Sequence, residues 1–310
     1  MREYQIHRLC AALLATLLLL ALPFAGAEEA GTQYFENAWN YVDGSMDILG
    51  AIPEDAEGLL GDIRAAGVLR VATEPYYPPQ EFIDPELSGQ DMYVGADMEL
   101  ARLIARRMGV ELEIVPMDFS DVLPAVMEGV CDLAISGLSY TPARAAQVTM
   151  SKGYHYAADN AGTGLVIRTE DAEAIRGPED LENRNIVAQA SSLQETLMAE
   201  HVPLYHEFRR VSSVQEVFRG LQEGWADAAA MDIDNARIYI QSNPDCGLML
   251  VPDVCFALEE QFDGDRVAAK KGELQLMYFV NGVIDETLSD GRYYEWIDTY
   301  QAYWDRINAE

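Results

Sequence analysis

Arg144 closes the run at residues 135–144, ISGLSYTPAR. The apolar residues Leu133, Ala134 and Ile135 read as a buried strand, and Ser136-Gly137 as a turn that leaves the backbone approachable. Thr141-Pro142 then reads as the N-cap and first residue of a helix, where proline's missing N–H costs nothing. A cation in a helix's first turn is disfavoured by the dipole, so Arg144 is placed to meet an anion. Its planar fork suits a carboxylate held in two hydrogen bonds; a local ion pair with a neighbouring Asp or Glu meets the same need. The matching acid lies in the second half of the chain. Residues 128–134 (EGVCDLA) and 223–229 (EGWADAA) share Glu, Gly, Asp and the final Ala, and each reads as a helix stop followed by a buried strand. The first strand runs into Ser136-Gly137, the second into Met231-Asp232. Ligands of open parallel sheets collect at the carboxyl ends of strands. Two such edges facing each other would set Arg144 opposite Asp232, and a zwitterion complements that pair. Asp232 also reads as the N-cap of a helix over 233–240, and the two roles are compatible.

The elements that must position these residues alternate strand and helix. Residues 68–72, 112–115 and 133–135 read as strands. Between them, Asp97 caps a helix with the apolar face Leu100, Leu103, Ile104 and Met108, and Ser120 opens one carrying Leu123, Val126 and Met127 to a stop at Gly129. The pattern begins again with strands at 165–167, 186–188, 208–211 and 226–231. Ser192-Leu193-Gln194-Glu195 and Ser213-Val214-Gln215-Glu216 are capping boxes for two helices among them. Repeated βαβ units with parallel strands imply an α/β fold. Residues 28–61 stand apart: Tyr34, Phe35, Ala38, Trp39 and Val42 share one helical face, Leu59, Leu60 and Ile63 lead into the main body, and the arm is expected to pack on a lobe.

Composition bounds the partners. The 310 residues carry a formal net charge of −31, with lysine only at 152, 270 and 271, which argues against nucleic acid or an anionic membrane. Arg2 and Arg8 precede an apolar run from Leu9 to Ala25, and Ala25-Gly26-Ala27 is an A-x-A cleavage site, so residues 1–27 read as a signal peptide. Its removal takes away two arginines and one glutamate and leaves −32. Cys10 precedes the apolar run and is no lipid-attachment site. Three cysteines remain: Cys131 reads as a buried thiol inside a strand, while Cys246 and Cys255 are expected to pair, given a turn near Pro252-Asp253. No Cys/His spacing resembles a metal site.

Further motifs carry a resemblance. In order they are GVLRVAT at 67–73, YPPQEF at 77–82, VGADMEL at 94–100, PMDF at 116–119, ISGLSYTPAR, AQASSLQE at 188–195, and DGRY at 290–293 before an aromatic helix. Over residues 63–304 the chain resembles the extracellular solute-binding proteins of family 3, the periplasmic amino-acid receptors of ABC importers. The resemblance implies a two-lobed type II periplasmic-binding-protein fold, each lobe a mostly parallel sheet flanked by helices. Its divisions would be an extension at 28–61, lobe 1 at 62–153, hinges at 154–158 and 259–262, lobe 2 at 159–258, and a return to lobe 1 at 263–310. It further implies a monomer in the periplasm, without lipid anchor or cofactor, that delivers a polar or cationic amino acid to an inner-membrane permease.

By the same resemblance Arg144 takes the ligand's α-carboxylate, with backbone N–H groups of Ser139 and of Ser192-Leu193. Asp232 takes the α-ammonium, with the Ser139 hydroxyl and the Gly137 carbonyl. Tyr77 and Phe119 sandwich the side chain, Glu74 reaches its distal end or the cleft mouth, Gln189 and Met231 form the far wall, and Ser136 belongs to the same turn. The chain departs from the family at Ser191, often Gly; at Leu193, often Thr or Ser; and at Gln80, a common aromatic. Two rival readings remain: a periplasmic cyclohexadienyl dehydratase with Glu74 or Asp232 as general acid, and the sensing subunit of a receptor.

Overall fold

The computed structural model describes residues 52, 56–156, 162–256 and 264–308. The expected signal peptide, the helix expected at 34–42 and most of the two expected hinge crossings lie outside these residues. Lobe 1 holds β1 (Val68–Thr73), β5 (Glu111–Pro116), β6 (Leu133–Ala134), β7 (Val148–Met150) and β13 (Ala268–Lys270) in the order β5-β1-β6-β13-β7. A small sheet of β2 (Tyr76–Tyr77), β3 (Glu81–Ile83) and β4 (Tyr93–Val94) sits beside it. Lobe 2 holds β8 (Thr163–Arg168), β9 (Asn185–Gln189), β10 (Glu207–Val211), β11 (Ala228–Asp232) and β12 (Leu248–Leu250) in the order β10-β9-β11-β8-β12.

The repeat between residues 128–134 and 223–229 is a structural equivalence. β6 pairs parallel with β1, and β11 pairs parallel with β9. Asp132 Oδ2 accepts from the Arg70 N–H at 2.8 Å, and Asp227 Oδ2 accepts from the Asn185 N–H at 2.8 Å. The same acid therefore ties the start of the same strand pair in both lobes. β13 and β8 run antiparallel to those central strands, so β8 does not start a new parallel unit as its apolar run suggested.

Helices cover both faces of each sheet. In lobe 1, α1 (Gly58–Ala66), α2 (Ala96–Met108), α8 (Leu274–Ser289) and α9 (Arg292–Ile307) bury Leu60, Leu100, Ile104, Val280 and Tyr293 on one side. There α3 (Phe119–Glu128) and α4 (Pro142–Gln147) bury Val122, Val126 and Ala145 on the other. In lobe 2, α5 (Leu193–His201) covers one face with Leu197 and Met198, while α6 (Val214–Gln222) and α7 (Ile233–Ser242) cover the other with Val217, Phe218 and Ala236. Each fully buried aliphatic side chain contributes about 1.5–3 kcal/mol. Among the described residues no helix is long and apolar enough to cross a membrane.

Several local expectations are corrected. The N-cap of α2 is Gly95, not Asp97. A Cβ at Gly95 would lie 2.1 Å from the Gln80 carbonyl, so the hairpin packs where only glycine fits. Asp97 turns inward instead. It accepts from Tyr293 Oη at 2.6 Å, Tyr154 Oη at 2.8 Å and the Gly137 N–H at 3.1 Å. The helix expected from Ser120 starts one residue earlier, behind Asp118. Cys131 is buried but lies in the turn before β6, and burial pushes its thiol up to about 11. Cys246 and Cys255 do not form a disulfide. Leu248 pairs with Arg168 and Phe256 with Thr163, so the chain between the two cysteines runs on along β8 rather than folding back.

Asp97→Ala would strand two buried tyrosine hydroxyls and the Gly137 N–H. It is expected to cost about 2–4 kcal/mol in urea unfolding; a loss below about 0.5 kcal/mol would show the network to be incidental.

Candidate functional site

The carboxyl ends of the parallel strands meet across the interlobe cleft. Glu74 follows β1, Phe119 opens α3 after β5, and Ser136 and Gly137 follow β6; from lobe 2, Gln189 ends β9 and Asp232 ends β11. These six line one cavity of about 120 Å³ with Tyr77, Ser139, Arg144 and Leu193. Ser192 and Met231 are the expected residues outside its wall. The Ser192 Oγ caps α5 by accepting from the Glu195 N–H at 3.0 Å, and Ser192 borders a second cavity of about 300 Å³ that also touches Arg144. Met231 is buried in lobe 2 and does not line the site.

Thr141 caps α4, its Oγ1 accepting from the Arg144 N–H at 3.1 Å, with Pro142 in the first turn. The Arg144 side chain is 8% exposed. Nη1 donates to the Ser139 carbonyl at 2.8 Å, and Nη2 to the Ser191 carbonyl of lobe 2 at 3.0 Å. Its guanidinium carbon lies 5.6 Å from the centre of the Phe119 ring. Among the described residues no carboxylate forms an ion pair with it, so the local pairing that could have explained this arginine is not made. Burial lowers its pKa to about 10. A guanidinium has five N–H donors; two are spent on carbonyls, and the side chain borders both cavities. Ser191, which accepts from Arg144, has φ +63°, the left-handed backbone that suits the family's usual glycine.

Acids dominate the remaining wall. Glu74 is 2% exposed and accepts from Gln189 Nε2 across the lobes at 2.9 Å; burial raises its pKa to about 7, against the pull of that bond. Asp232 caps α7, accepting from the Asn235 N–H at 2.9 Å, and burial raises it to about 6. Both readings of Asp232 are therefore compatible in one place, cap and cavity wall. Asn235 Nδ2 reaches the Pro78 carbonyl at 3.3 Å, a third bridge between lobes. Ser136 Oγ accepts from the Glu74 N–H at 3.0 Å and donates to Glu81 Oε1 at 3.1 Å. Gly137, with φ +53°, lies under the Tyr77 ring; a Cβ there would sit 3.5 Å from it.

Sequence reasoning missed Glu81, His155, Asp234 and Asp265, which line the same cavity. His155 Nδ1 and Asp265 Oδ2 are 2.9 Å apart. Burial works against the charged imidazole, but the Asp265 bond and charge outweigh it and raise the His155 pKa. His155 and Asp265 are 110 positions apart, so no local spacing announces their pairing. Gln80 had a signal, its departure from the family's aromatic, and it too lines the cavity. The described residues contain no cluster able to hold a metal ion.

The model of the bacterial extracellular solute-binding proteins, family 3, matches residues 69–302. The chain belongs to that family. This family-3 chain is 29% identical over 186 residues to the arginine-binding extracellular protein ArtP of Bacillus subtilis (strain 168), covering 60% of this chain and 69% of that protein. It matches an amino acid ABC transporter substrate-binding protein from Streptococcus pneumoniae Canada MDR_19A, bound to L-arginine, with a TM-score of 0.70 and 29% identity. That match covers 79% of this chain and 98% of the other. It also matches an ancestral amino-acid-binding protein described as a precursor of cyclohexadienyl dehydratase, with a TM-score of 0.66 and 27% identity over 78% and 99% of the two chains. The two-lobed type II fold implied by the motifs is the fold observed, and the chain is a solute-binding protein.

The raised carboxyls set a sign for pH dependence. The folded chain keeps the Glu74 proton up to about 7, whereas the unfolded chain releases it near 4.5. Within that window the native state binds more protons, so stability falls as pH rises. Urea unfolding between about pH 5 and about pH 7.5 should therefore show wild-type losing stability relative to Glu74→Gln. The opposite slope would mean that Glu74 is ionised in the fold.

Proposed function

We propose that this protein captures an amino acid with a cationic side chain between its lobes and presents the closed form to an ABC permease. The observation that carries the reading is the buried Arg144 guanidinium, which makes no ion pair among the described residues and lines a cavity rich in carboxylates. An amino acid entering a closed cleft loses water from two charges, which costs several kcal/mol per ion unless each is paired. The remaining N–H donors of Arg144 take the α-carboxylate, and Asp232 takes the α-ammonium. Tyr77 and Phe119 supply flat apolar area for the side chain. The acids beyond Asp232 favour a second positive charge, in keeping with the arginine bound by the relatives. Signal-peptide cleavage after Ala27, the periplasm as compartment and a monomeric state complete the proposal.

Closure follows from differential affinity: contacts from both lobes exist only when they meet, so ligand shifts the population toward the closed form. The Arg144–Ser191, Glu74–Gln189 and Asn235–Pro78 bonds span the same gap and belong to that form. A thermal-shift screen of the twenty amino acids identifies the ligand, since saturation at 100 times Kd adds roughly 2.7 kcal/mol of stability. Turnover of cyclohexadienyl acids by purified protein would instead favour the dehydratase reading, with Glu74 as the acid.

Arg144→Ala and Asp232→Ala should each weaken binding of the screened ligand by roughly 2–5 kcal/mol in calorimetric titration, because each leaves one ligand charge buried alone. Arg144→Lys should also bind poorly, since a point charge cannot replace a two-pronged contact. Asp232→Ala additionally removes a helix cap worth about 1 kcal/mol of stability, which a melting curve separates from affinity. Unchanged affinity in both alanine variants would refute the mechanism.

A further inference from the structure

The second cavity, of about 300 Å³, differs from the first in charge. Glu74, Glu81, Asp232, Asp234 and Asp265 line the first. Asp and Glu make up 52 of the 310 residues, yet neither type lines the second, and its one charged wall residue is Arg144. Arg144 is 8% exposed and forms no ion pair among the described residues. Two of its five N–H donors are spent on carbonyls. The wall therefore offers a single buried positive charge, which one monovalent anion matches. A zwitterion there would bring a second charge that no other wall residue answers.

The rest of the wall fixes what that anion carries. On α3, Phe119, Leu123 and Met127 recur every fourth residue, share one face and border the cavity. Leu193 adds apolar surface from lobe 2. Met127 is 37% exposed, so the stripe continues beyond what the core covers. The first turn of α5, a helix of nine residues, borders the cavity through Ser192, Leu193 and Thr196. A helix N-terminus favours an anion over a cation, in the same sense as Arg144.

We infer that the second cavity is a separate site for a short aliphatic monocarboxylate, with its carboxylate on Arg144 and its tail along the Phe119, Leu123 and Met127 stripe. This goes beyond the amino-acid reading and does not depend on it, since the ligand carries no ammonium and needs none of the acids of the first cavity. A mostly apolar wall with a few placed polar groups is the general form of a small-molecule site. Lobe 1 supplies α3 and α4 to this wall and lobe 2 supplies α5, so the occupant touches both lobes. It also draws on the guanidinium that the amino acid uses, and the two ligands exclude one another at Arg144.

Hexanoate, acetate and hexanol separate head from tail. Calorimetric titration at near-neutral pH and fixed ionic strength should show hexanoate bound at least ~10-fold more tightly than acetate, because each buried methylene adds up to about fourfold. Hexanol has the tail without the charge and should bind at least ~10-fold more weakly than hexanoate. Met127→Glu sets an acid on the cavity wall at an exposed position and should weaken hexanoate at least ~10-fold. Arg144→Ala should abolish its binding. A melting curve checks that Met127→Glu folds; should it not, Thr196→Glu brings the same charge from lobe 2 and should weaken hexanoate likewise. Hexanoate bound no better than acetate or hexanol overturns the site. So does unchanged affinity in the glutamate variant, which would put the acid in the first cavity instead. Either result leaves the amino-acid reading standing, since that reading is tested by its own titrations.

Discussion

A guanidinium removed from water needs compensation, and at Arg144 the protein supplies only part of it. Two carbonyl oxygens and an aromatic face accept some of its donors and polarise toward its charge, but carbonyl dipoles do not neutralise a cation. The two carbonyls come from different lobes, so the arginine's own hydrogen bonds require lobe 1 and lobe 2 to be together. An anion delivered to this point therefore does two things at once. It completes the pairing of the charge, and it stabilises the arrangement in which the lobes meet. In the proposed function, ligand capture and closure are coupled through this side chain.

The rest of the structure can be understood as the support for that arrangement. Strand ends bring the polar groups to the cleft, and the cores behind them are apolar and layered on both faces of each sheet. Asp97, bonded to Tyr154, Tyr293 and the Gly137 backbone, links α9 and the segment leading out of lobe 1 to the turn that borders the cavity. His155 and Asp265 join the outgoing and returning chain next to the same cavity. Glu74, Asp97 and Asp232 carry raised pKa values because burial outweighs their partners. Two of the three, Glu74 and Asp232, line the cavity, and shifted carboxyls in a cleft mark a functional site.

Much of this was legible along the chain. The helix start at Thr141-Pro142, the two capping boxes and the doubled EG…D…A pattern are local signals, and each appears in the fold as its chemistry dictates. The doubled aspartate even bonds the equivalent strand in each lobe. What was not legible is tertiary. Asp97 fits the sequence rule for a cap, yet glycine takes that position because the hairpin backbone passes too close for a side chain. Glu81 sits in a strand-like stretch with no spacing to mark it, and Asp265 meets His155 only after the chain has crossed to the second lobe and returned. Cys246 and Cys255 are near in sequence, but the strand direction between them carries them apart.

The central claim is that Arg144 is completed by the ligand's carboxylate. Agmatine, which is arginine without that group, keeps the guanidinium and an amine and so isolates the claim in a single comparison. Calorimetric titration at near-neutral pH should find agmatine bound at least ~30-fold more weakly than L-arginine, because it leaves the buried guanidinium without its anion. Agmatine binding as tightly as L-arginine would contradict the account, since the cleft would then be reading the cation alone.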